Sequence, residues 1–578
     1  MENENRESTL RRLTSWCVNH LFLFIFSFSS LVYLVTMDRT VSWWDCGEFL
    51  STGWLLQVGH PPGAPVYQLL THLFMLLSFG DTTLVAPLSN AMSALCGGIT
   101  VGLLYASLRL LGVRRLGAAT GALCYLFADS VWFSATESEV YAMAMLFCSL
   151  DVYVALRYRL SHNTRLLSLI GLLLGLGAGV HLMTLLTVPA LLIIILPILI
   201  RYRRWGKTIP AAMLFFTLGL TPYLIIPIRA AANPPINELG KDFGSYLRRE
   251  QYPKAPLYPR MWREKDSTNW REWNMGCTDI LGNAVFYGSY QLGYMYGRYL
   301  MYNYVGRENL AYRPNPEKKS VFNFHYSIFI LPALMGLWGL VRHRRRSRSD
   351  FWTVMLLFLF GGVILNLYLN HPCYEPRERD YVYVLSYYAF AIWIGLGADD
   401  IASRLSSRFS FLILLAPLLM AIGNWRDHDR SHSHAVHDIA MNHLESCDPD
   451  AILITLGDND TFPLWYLQQV ERQRTDIDIY NVGLTGWGNI RQMLYNNNYH
   501  RPVYFSQYFY ERFGQIFPDQ LRCEGFCWRL LPDKGGDLTP ILHPAAHWHI
   551  TQDEYTDPIA ERFLDIWQRN TGTTIPRL

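Results

Sequence analysis

The stretch "LFLFIFSFSSLVYLVTMDRTVSWWDCGEFLSTGWLLQVGHPPGAP", residues 21–65, runs from an unbroken apolar segment into a loop with three carboxylates, a histidine and three prolines. The apolar part approaches the ~20 residues needed to cross a bilayer, and "LLIIILPILI" at 191–200 has the same character. Outward from these runs the whole composition agrees: 578 residues are 51% hydrophobic, 14% aromatic and 17% charged, more apolar than a multidomain soluble enzyme. After residue 424 such runs cease. The pattern predicts a polytopic α-helical membrane domain over 1–424 and a polar α/β domain over 425–578.

The length criterion places about eleven spans. They lie near 14–36, 83–110, 115–135, 139–158, 165–182, 184–201, 208–228, 323–341, 351–370, 383–400 and 409–424. Lys and Arg mark the cytoplasmic loops. The basic segments are "RESTLRR" (6–12), "RLLGVRR" (109–115), "RYRLSHNTR" (157–165), "RYRRWGK" (201–207), "RHRRRSR" (342–348) and "RLSSR" (404–408). All six fall on one side if the N-terminus is cytoplasmic. Loops 37–82, 229–322 and 371–382, the short turns at 136–138 and near His181, and the tail 425–578 then lie outside. The first segment has no small-residue cleavage site and reads as an uncleaved span.

Ten cysteines give no disulfide framework. Cys17, Cys96, Cys124 and Cys148 lie in predicted spans as small apolar fillers, whereas Cys523 and Cys527 in "CEGFC" are candidates for a bridge or a metal pair. The net charge of +3 follows from the cytoplasmic anchors, and no nucleic-acid motif or nucleotide P-loop is present. "NAVFYGSYQLGYMYGRYLMYNYVG", 283–306, reads as an interfacial helix whose tyrosines form an aromatic belt, with a carbohydrate-stacking wall as the alternative. "AILITLGDNDTFPLWYLQQVERQRTDIDIYNVG" reads as strand, loop, helix, strand.

Ionisable residues converge on the outer boundary from separate loops: Asp45, Glu48, His60, Glu137, Glu139, His181, Arg229, Glu375, Arg377, Glu378, Arg379 and Asp380. Charges at membrane depth are costly and are usually paired or functional, though at the boundary they are also simply solvated. Together they suit a polar cavity for an anionic lipid headgroup. Asp45 and Glu48 are three apart, on one helical face. The same spacing also suits an N-cap Asp with Glu at N3. In "GHPPGAP" prolines and glycines make a fixed turn that holds His60 near the boundary. Asp458 and Asp460 in "GDNDTF" are candidates for a cation or sugar hydroxyls, with Asp460 or Thr461 as a plain N-cap before Pro463 the favoured reading.

"WDCGEFLSTGWLLQVGHPPGAPVYQLL", 44–70, resembles the signature of membrane glycosyltransferase family 117, a bacterial domain-of-unknown-function family related to the eukaryotic protein O-mannosyltransferases; the pattern is D-x-G-E followed by H-P-P-G. "REWN" at 271–274, "YEPRERDYVYVLSYYAFAIWIGLG" at 374–397 and "NHLESCDPDAILITLGDNDTFPLWYLQQVERQRTD" at 442–476 extend the resemblance over nearly the whole chain. It implies a GT-C fold with the active site away from the cytoplasm and a polyprenyl-phosphate sugar as donor. Asp45, with Glu48, matches the catalytic position of the first outer loop. His60, Arg229, Arg377 and Arg379 are donor-binding candidates by position, and Glu137, Glu139, His181, Asp458 and Asp460 are acceptor or auxiliary candidates.

The expected reaction moves a mannose-like hexose to Ser or Thr hydroxyls of exported proteins, with inversion and Asp45 as base. No metal is assigned, and a divalent cation at Glu48 is an option only with further oxygen ligands. The expected partners are the polyprenyl-linked donor, an exported protein acceptor and membrane lipid, in a bacterial inner membrane with site and tail periplasmic. Transfer to an envelope glycan or lipid, and lipid or sugar transport, stay open as alternatives. A transporter typically carries internal repeats and broken midplane helices, and neither is evident.

Overall fold

A computed structural model describes residues 21–203, 205–260, 280–306, 330–373, 377–497, 500–532 and 536–541, with Phe563 and Gln568. "RESTLRR", "REWN", Glu375 and the first parts of the spans 14–36 and 323–341 lie outside the described residues.

Six described helices are long and apolar enough to cross a membrane: Thr82–Leu110, Val140–Ser161, Leu182–Tyr202, Trp205–Ala230, Arg348–Leu369 and Asp380–Arg404. The pair Arg115–Leu126 and Asp129–Ala135, bent by 67°, makes a seventh if it is one span. Leu21–Thr36 and Arg165–Ala178 are shorter apolar helices, and Ile330–Arg346 and Leu415–His428 occupy two further predicted spans. Each of the eleven predicted segments therefore holds a helix, and six or seven meet the length and hydropathy criterion.

Asp380–Arg404 runs through the centre of the bundle, with every residue from Tyr383 to Asp399 buried. Its neighbour Ile330–Arg346 approaches backbone to backbone, because a Cβ on Gly339 would overlap the carbonyl oxygen of Trp393 and lie 2.7 Å from the Gly397 nitrogen. Small residues supply the close van der Waals contact that holds helices together where lipid offers no hydrophobic drive. The basic turns gather at one end of the bundle: Arg159 pairs with Asp350, and Arg114 with Asp399 at 2.8 Å. The loops that carry Asp45, Glu137 and Arg377 meet at the other end.

The Tyr-rich segment forms a helix, Ile280–Phe286, a wide π-helical stretch, Tyr287–Gly297, and a further turn, Arg298–Tyr304. Tyr290, Tyr296, Tyr299 and Tyr304 are buried, and Tyr296 and Tyr299 pack on Tyr383. These tyrosines pack against the bundle instead of forming an interfacial belt, since their rings fill the groove beside the central helix.

The C-terminal unit holds a five-stranded sheet in the order β2-β1-β3-β5-β4, with β1 Ile452–Thr455, β2 Asp478–Asn481, β3 Val503–Phe505, β4 Leu521–Glu524 and β5 Cys527–Leu530. β1 is parallel to β2 and β3, and the hairpin β4–β5 adds antiparallel. Leu453 faces one core, and Ile452 and Ile454 face another, as strand alternation requires. The Leu453 core also contains Val41, Trp43, Cys46 and Leu50 from the first loop, so this loop and the C-terminal unit share one hydrophobic core.

The expected Cys523–Cys527 bridge or metal pair is absent among the described residues. In the β4–β5 register Cys523 faces Trp528 and not Cys527, and the two thiols enter cores on opposite faces of the sheet.

Candidate active site

The helix Cys46–Leu55 begins directly after Asp45. Asp45 occupies its N-cap position, yet its side chain makes no capping hydrogen bond. Instead Oδ2 accepts from Arg377 at 3.1 Å. Glu48 does not complete a capping box either. Its Oε1 accepts from the His60 backbone N–H at 2.5 Å and its Oε2 meets His60 Nδ1 at 2.7 Å. The two carboxylates of D-x-G-E thus hold different partners, Asp45 the arginine loop and Glu48 the H-P-P-G turn.

Burial pushes the Asp45 carboxyl up, but Arg377, His60 and Arg379 together hold it below its ordinary value. Burial pushes the His60 imidazole down, and the charge and hydrogen bond of Glu48, with Asp45 and Glu238, outweigh it and raise it to about 10. His60 is a cation beside an ionised Asp45. Arg377 lies between the rings of Trp44 and Tyr381, 4.7 and 4.6 Å from their centroids, so the guanidinium is stacked as well as paired.

Arg377, Trp44, Tyr141, Tyr381, Glu137 and Glu139 line a cavity of about 30 Å³. That is room for one or two waters. Glu139 is the N-cap of Val140–Ser161 and accepts from Val140 N–H at 3.2 Å; burial, then the charge of Asp45, raises its carboxyl well above the usual range. Glu137 pairs with Arg430 at 2.9 Å, and Arg430 also binds Asp38 at 2.5 Å. His181 accepts from Met183 N–H at 3.2 Å and packs on Tyr141, and burial, then Arg249 and His60, lower it to about 4.

Arg229 departs from its expected role at the donor. Its Nε and one terminal nitrogen donate to the carbonyls of Leu56 and Leu55, at 2.6 and 3.1 Å, where the helix Cys46–Leu55 leaves unpaired acceptors. Arg379 donates to Tyr381 Oη at 2.8 Å and adds to the positive field at Asp45.

"GDNDTF" begins the helix Asp458–Gln469 at Asp458, two residues earlier than the expected cap, with Gly457 in the N-cap position and Pro463 inside. Asp460 is no cap: Oδ2 accepts from Leu456 N–H at 3.0 Å and from Ser506 Oγ. Asn459 Oδ1 accepts from Trp44 N–H at 2.6 Å, so the crevice after β1, where α/β units take ligands, faces the Asp45 loop. Burial, then Asp45, raises Asp458 to about 6. A Cβ on Gly47 would lie 2.5 Å from the Phe462 carbonyl carbon, which explains why the residue before Glu48 in the motif is glycine.

Three participants were missed from the sequence. Glu238 is buried, neither carboxylate oxygen has a hydrogen-bond partner among the described residues, and burial, then Glu48, raises it to about 8. Arg298 forms two bonds of 2.8 Å to Glu378, which Tyr299 Oη also contacts at 2.6 Å, and this clamp holds the residue between Arg377 and Arg379. Arg430 ties the start of the C-terminal unit to Asp38 and Glu137. A charge within an aromatic run was the available signal for Arg298; nothing local marked the other two.

Asp45 and Glu48 hold cationic partners, and among the described residues no three His, Cys, Asp or Glu side chains form a metal-holding group.

Fold and site define a multi-pass membrane protein with a small charged cavity at one end of its bundle and a C-terminal α/β unit docked on the Asp45 loop beside it. Residues 45–205 match the family model described as protein O-mannosyl-transferase TMEM260 N-terminal domain, and residues 436–493 match TMEM260-associated domain 2. In these two segments the chain is similar to protein O-mannosyl-transferase-related proteins. Protein O-mannosyl-transferase tmem260 of Dictyostelium discoideum is 23% identical over 531 residues, which cover 83% of this chain and 58% of that protein. The Mus musculus TMEM260 protein is 24% identical over 477 residues, covering 79% and 61%. The chain thus spans about three fifths of the length of these relatives. Among solved structures, ArnT from Cupriavidus metallidurans bound to undecaprenyl phosphate aligns with TM-score 0.49 and 12% identity over 92% of this chain and 99% of that one. The apo oligosaccharyltransferase of Archaeoglobus fulgidus aligns with TM-score 0.42 and 10% identity over 79% and 64%.

Proposed function

We propose that this protein is a GT-C-type membrane glycosyltransferase that takes a mannose-like hexose from a polyprenyl-phosphate sugar and transfers it, with inversion, to Ser or Thr hydroxyls of exported proteins. The observation that carries the reading is the half-buried Asp45 carboxylate, held below its ordinary value by Arg377, which itself lines the small charged cavity next to it. The two matched sequence domains support it, since one begins at Asp45 and the other includes the Asp458 helix that docks on the Asp45 loop.

In the proposed step the acceptor oxygen attacks the anomeric carbon, the bond from that carbon to the phosphate oxygen breaks, and the hydroxyl proton passes to Asp45 as polyprenyl phosphate leaves. Arg377 is matched to that leaving phosphate, because its fork binds two oxygens at once and its stacking between Trp44 and Tyr381 pre-orients it. Arg379 and the His60 cation add positive field. Arg377 also lowers the Asp45 carboxyl, so a donor phosphate that draws the guanidinium away makes Asp45 a stronger base only when donor is bound. Site and C-terminal unit face the periplasm in a bacterial inner membrane, with the basic end of the bundle in the cytoplasm. No step requires a metal.

The test is to incubate the purified protein with a panel of polyprenyl-phosphate sugars and envelope proteins and to map hexose-bearing peptides by mass spectrometry. Asp45→Asn keeps size and most hydrogen bonding but removes the base, and should lower transfer roughly 10²–10⁴-fold with folding and donor binding retained. Transfer by Asp45→Asn at the parental rate would remove the catalytic assignment.

A further inference from the structure

The end of the bundle opposite Asp45 carries a second pocket, between the turn after Leu110, the last turn of Ile330–Arg346 and the end of Asp380–Arg404. It is an open depression of about 460 Å³ lined by Arg114, Arg342, Arg345, Arg346, Asp399 and Asp400. Four guanidinium groups against two carboxylates leave two positive charges.

The aspartates fix two of the arginines in place. Asp399 Oδ1 accepts from Arg114 Nε at 2.8 Å, and Asp400 Oδ1 from Arg342 Nε at 2.9 Å. Arg346 donates to the Gly112 carbonyl at 2.5 Å, where a Cβ on Gly112 would crowd the guanidinium at 2.8 Å. Arg345 has no carboxylate partner among the described residues, and each guanidinium carries five N–H donors, more than these bonds use. The result is a rim of oriented donors around a space for about fifteen water-sized groups, enough for a phosphate and a small polar alcohol.

An apolar stripe leads to this rim. Leu334, Leu337, Trp338 and Val341 are 41–54% exposed and follow the i, i+3, i+4, i+7 spacing of one helix face. Trp338 Nε1 donates to Asp400 Oδ2 at 2.9 Å, which sets the indole at the level of the pocket, as a tryptophan at a membrane–water boundary. A molecule with a phosphate and an acyl chain matches both parts, whereas a soluble anion would use only the pocket.

We propose that this pocket binds the phosphodiester headgroup of an anionic phospholipid from the leaflet at the basic end of the bundle, with an acyl chain along the Leu334–Val341 stripe. The site is separate from the Asp45 cavity and does not depend on glycosyl transfer. Pinning of helix ends by a lipid bridge between three elements is its structural consequence.

The full chain in detergent is titrated with phosphatidylglycerol, phosphatidylcholine or inorganic phosphate at matched ionic strength, and bound lipid is counted by native mass spectrometry. Phosphatidylglycerol is expected to bind in preference to phosphatidylcholine. The double variant Arg345→Ala, Arg346→Ala should weaken it roughly 25-fold, at about fivefold per arginine. Arg345→Ala alone leaves the Arg346 contacts in place and should cost about fivefold, with Arg345→Lys recovering most of it. Unchanged phosphatidylglycerol affinity in Arg345→Ala, or equal binding of phosphatidylcholine, overturns the site. Inorganic phosphate that competes as strongly as the whole lipid overturns the lipid assignment.

Discussion

Gly47→Ala tests whether the C-terminal unit forms part of the candidate site. The added Cβ would lie 2.5 Å from the Phe462 carbonyl carbon and 2.9 Å from the Pro463 nitrogen, both backbone atoms that no rotamer change can move. Ordinary contact begins at 3.4 Å, so the helices Cys46–Leu55 and Asp458–Gln469 must part by nearly 1 Å. Overpacking of this kind costs about 1–3 kcal/mol. The same displacement moves Asp45, two residues before the glycine, and Asn459, whose side chain holds the Trp44 amide. A 1 Å misplacement can lower a positioned reaction about 10²-fold. The assay pairs thermal unfolding with the transfer rate from a lipid-phosphate sugar, using Gly488→Ala as control, since a Cβ there meets nothing within 4 Å. Parental stability and turnover in Gly47→Ala would refute the argument, because the two helices would then have slack that the structure does not show.

Arg377→Ala should weaken donor binding more than acceptor binding, by roughly 2–5 kcal/mol if the phosphate contact is buried, and unchanged donor affinity would move the phosphate site away from this residue. Glu238 binds its proton more tightly in the folded chain than in the unfolded one, its carboxyl being raised from 4.5 to about 8 by burial and then by Glu48. Its contribution therefore falls as pH rises from about 4.5 through 8, and Glu238→Gln should be more stable than the parent at pH 9 and show little gain near pH 4.5, measured by thermal unfolding. Parallel profiles for the two proteins would contradict that burial effect. A topology reporter fused after residue 430 should be active only outside the cytoplasm and one fused after residue 204 only inside; the reverse would place the Asp45 cavity among nucleotide sugars and remove the case for a lipid-linked donor.

The legible part of the site was its local part. Asp45, Glu48 and His60 were marked by a motif within 16 residues, and Arg377 and Arg379 by charge density between two apolar runs. Their partners were not marked. The helix-cap reading of Asp45 and Glu48 rested on sound local chemistry, and it failed because partners distant in sequence outbid the adjacent backbone: Arg377 lies 332 positions from Asp45. Arg229 shows the converse, an arginine at the expected depth that the helix end claims for its own carbonyls.

Hydropathy is a property of contiguous residues, so the sequence by itself determined a polytopic helical chain, the grouping of its basic turns and a polar α/β tail. The local motif likewise placed Asp45 and Glu48 together at the start of one helix. Strand register decided that Cys523 faces Trp528 and not Cys527, because alternation along β4 and β5 sends the two thiols to different cores. Packing decided that Tyr290, Tyr296, Tyr299 and Tyr304 are buried and that the Asp458 helix closes on Gly47. Ion pairing decided which carboxylate meets which cation, since burial makes an unpaired charge costly and leaves each group to the partner the fold brings within reach.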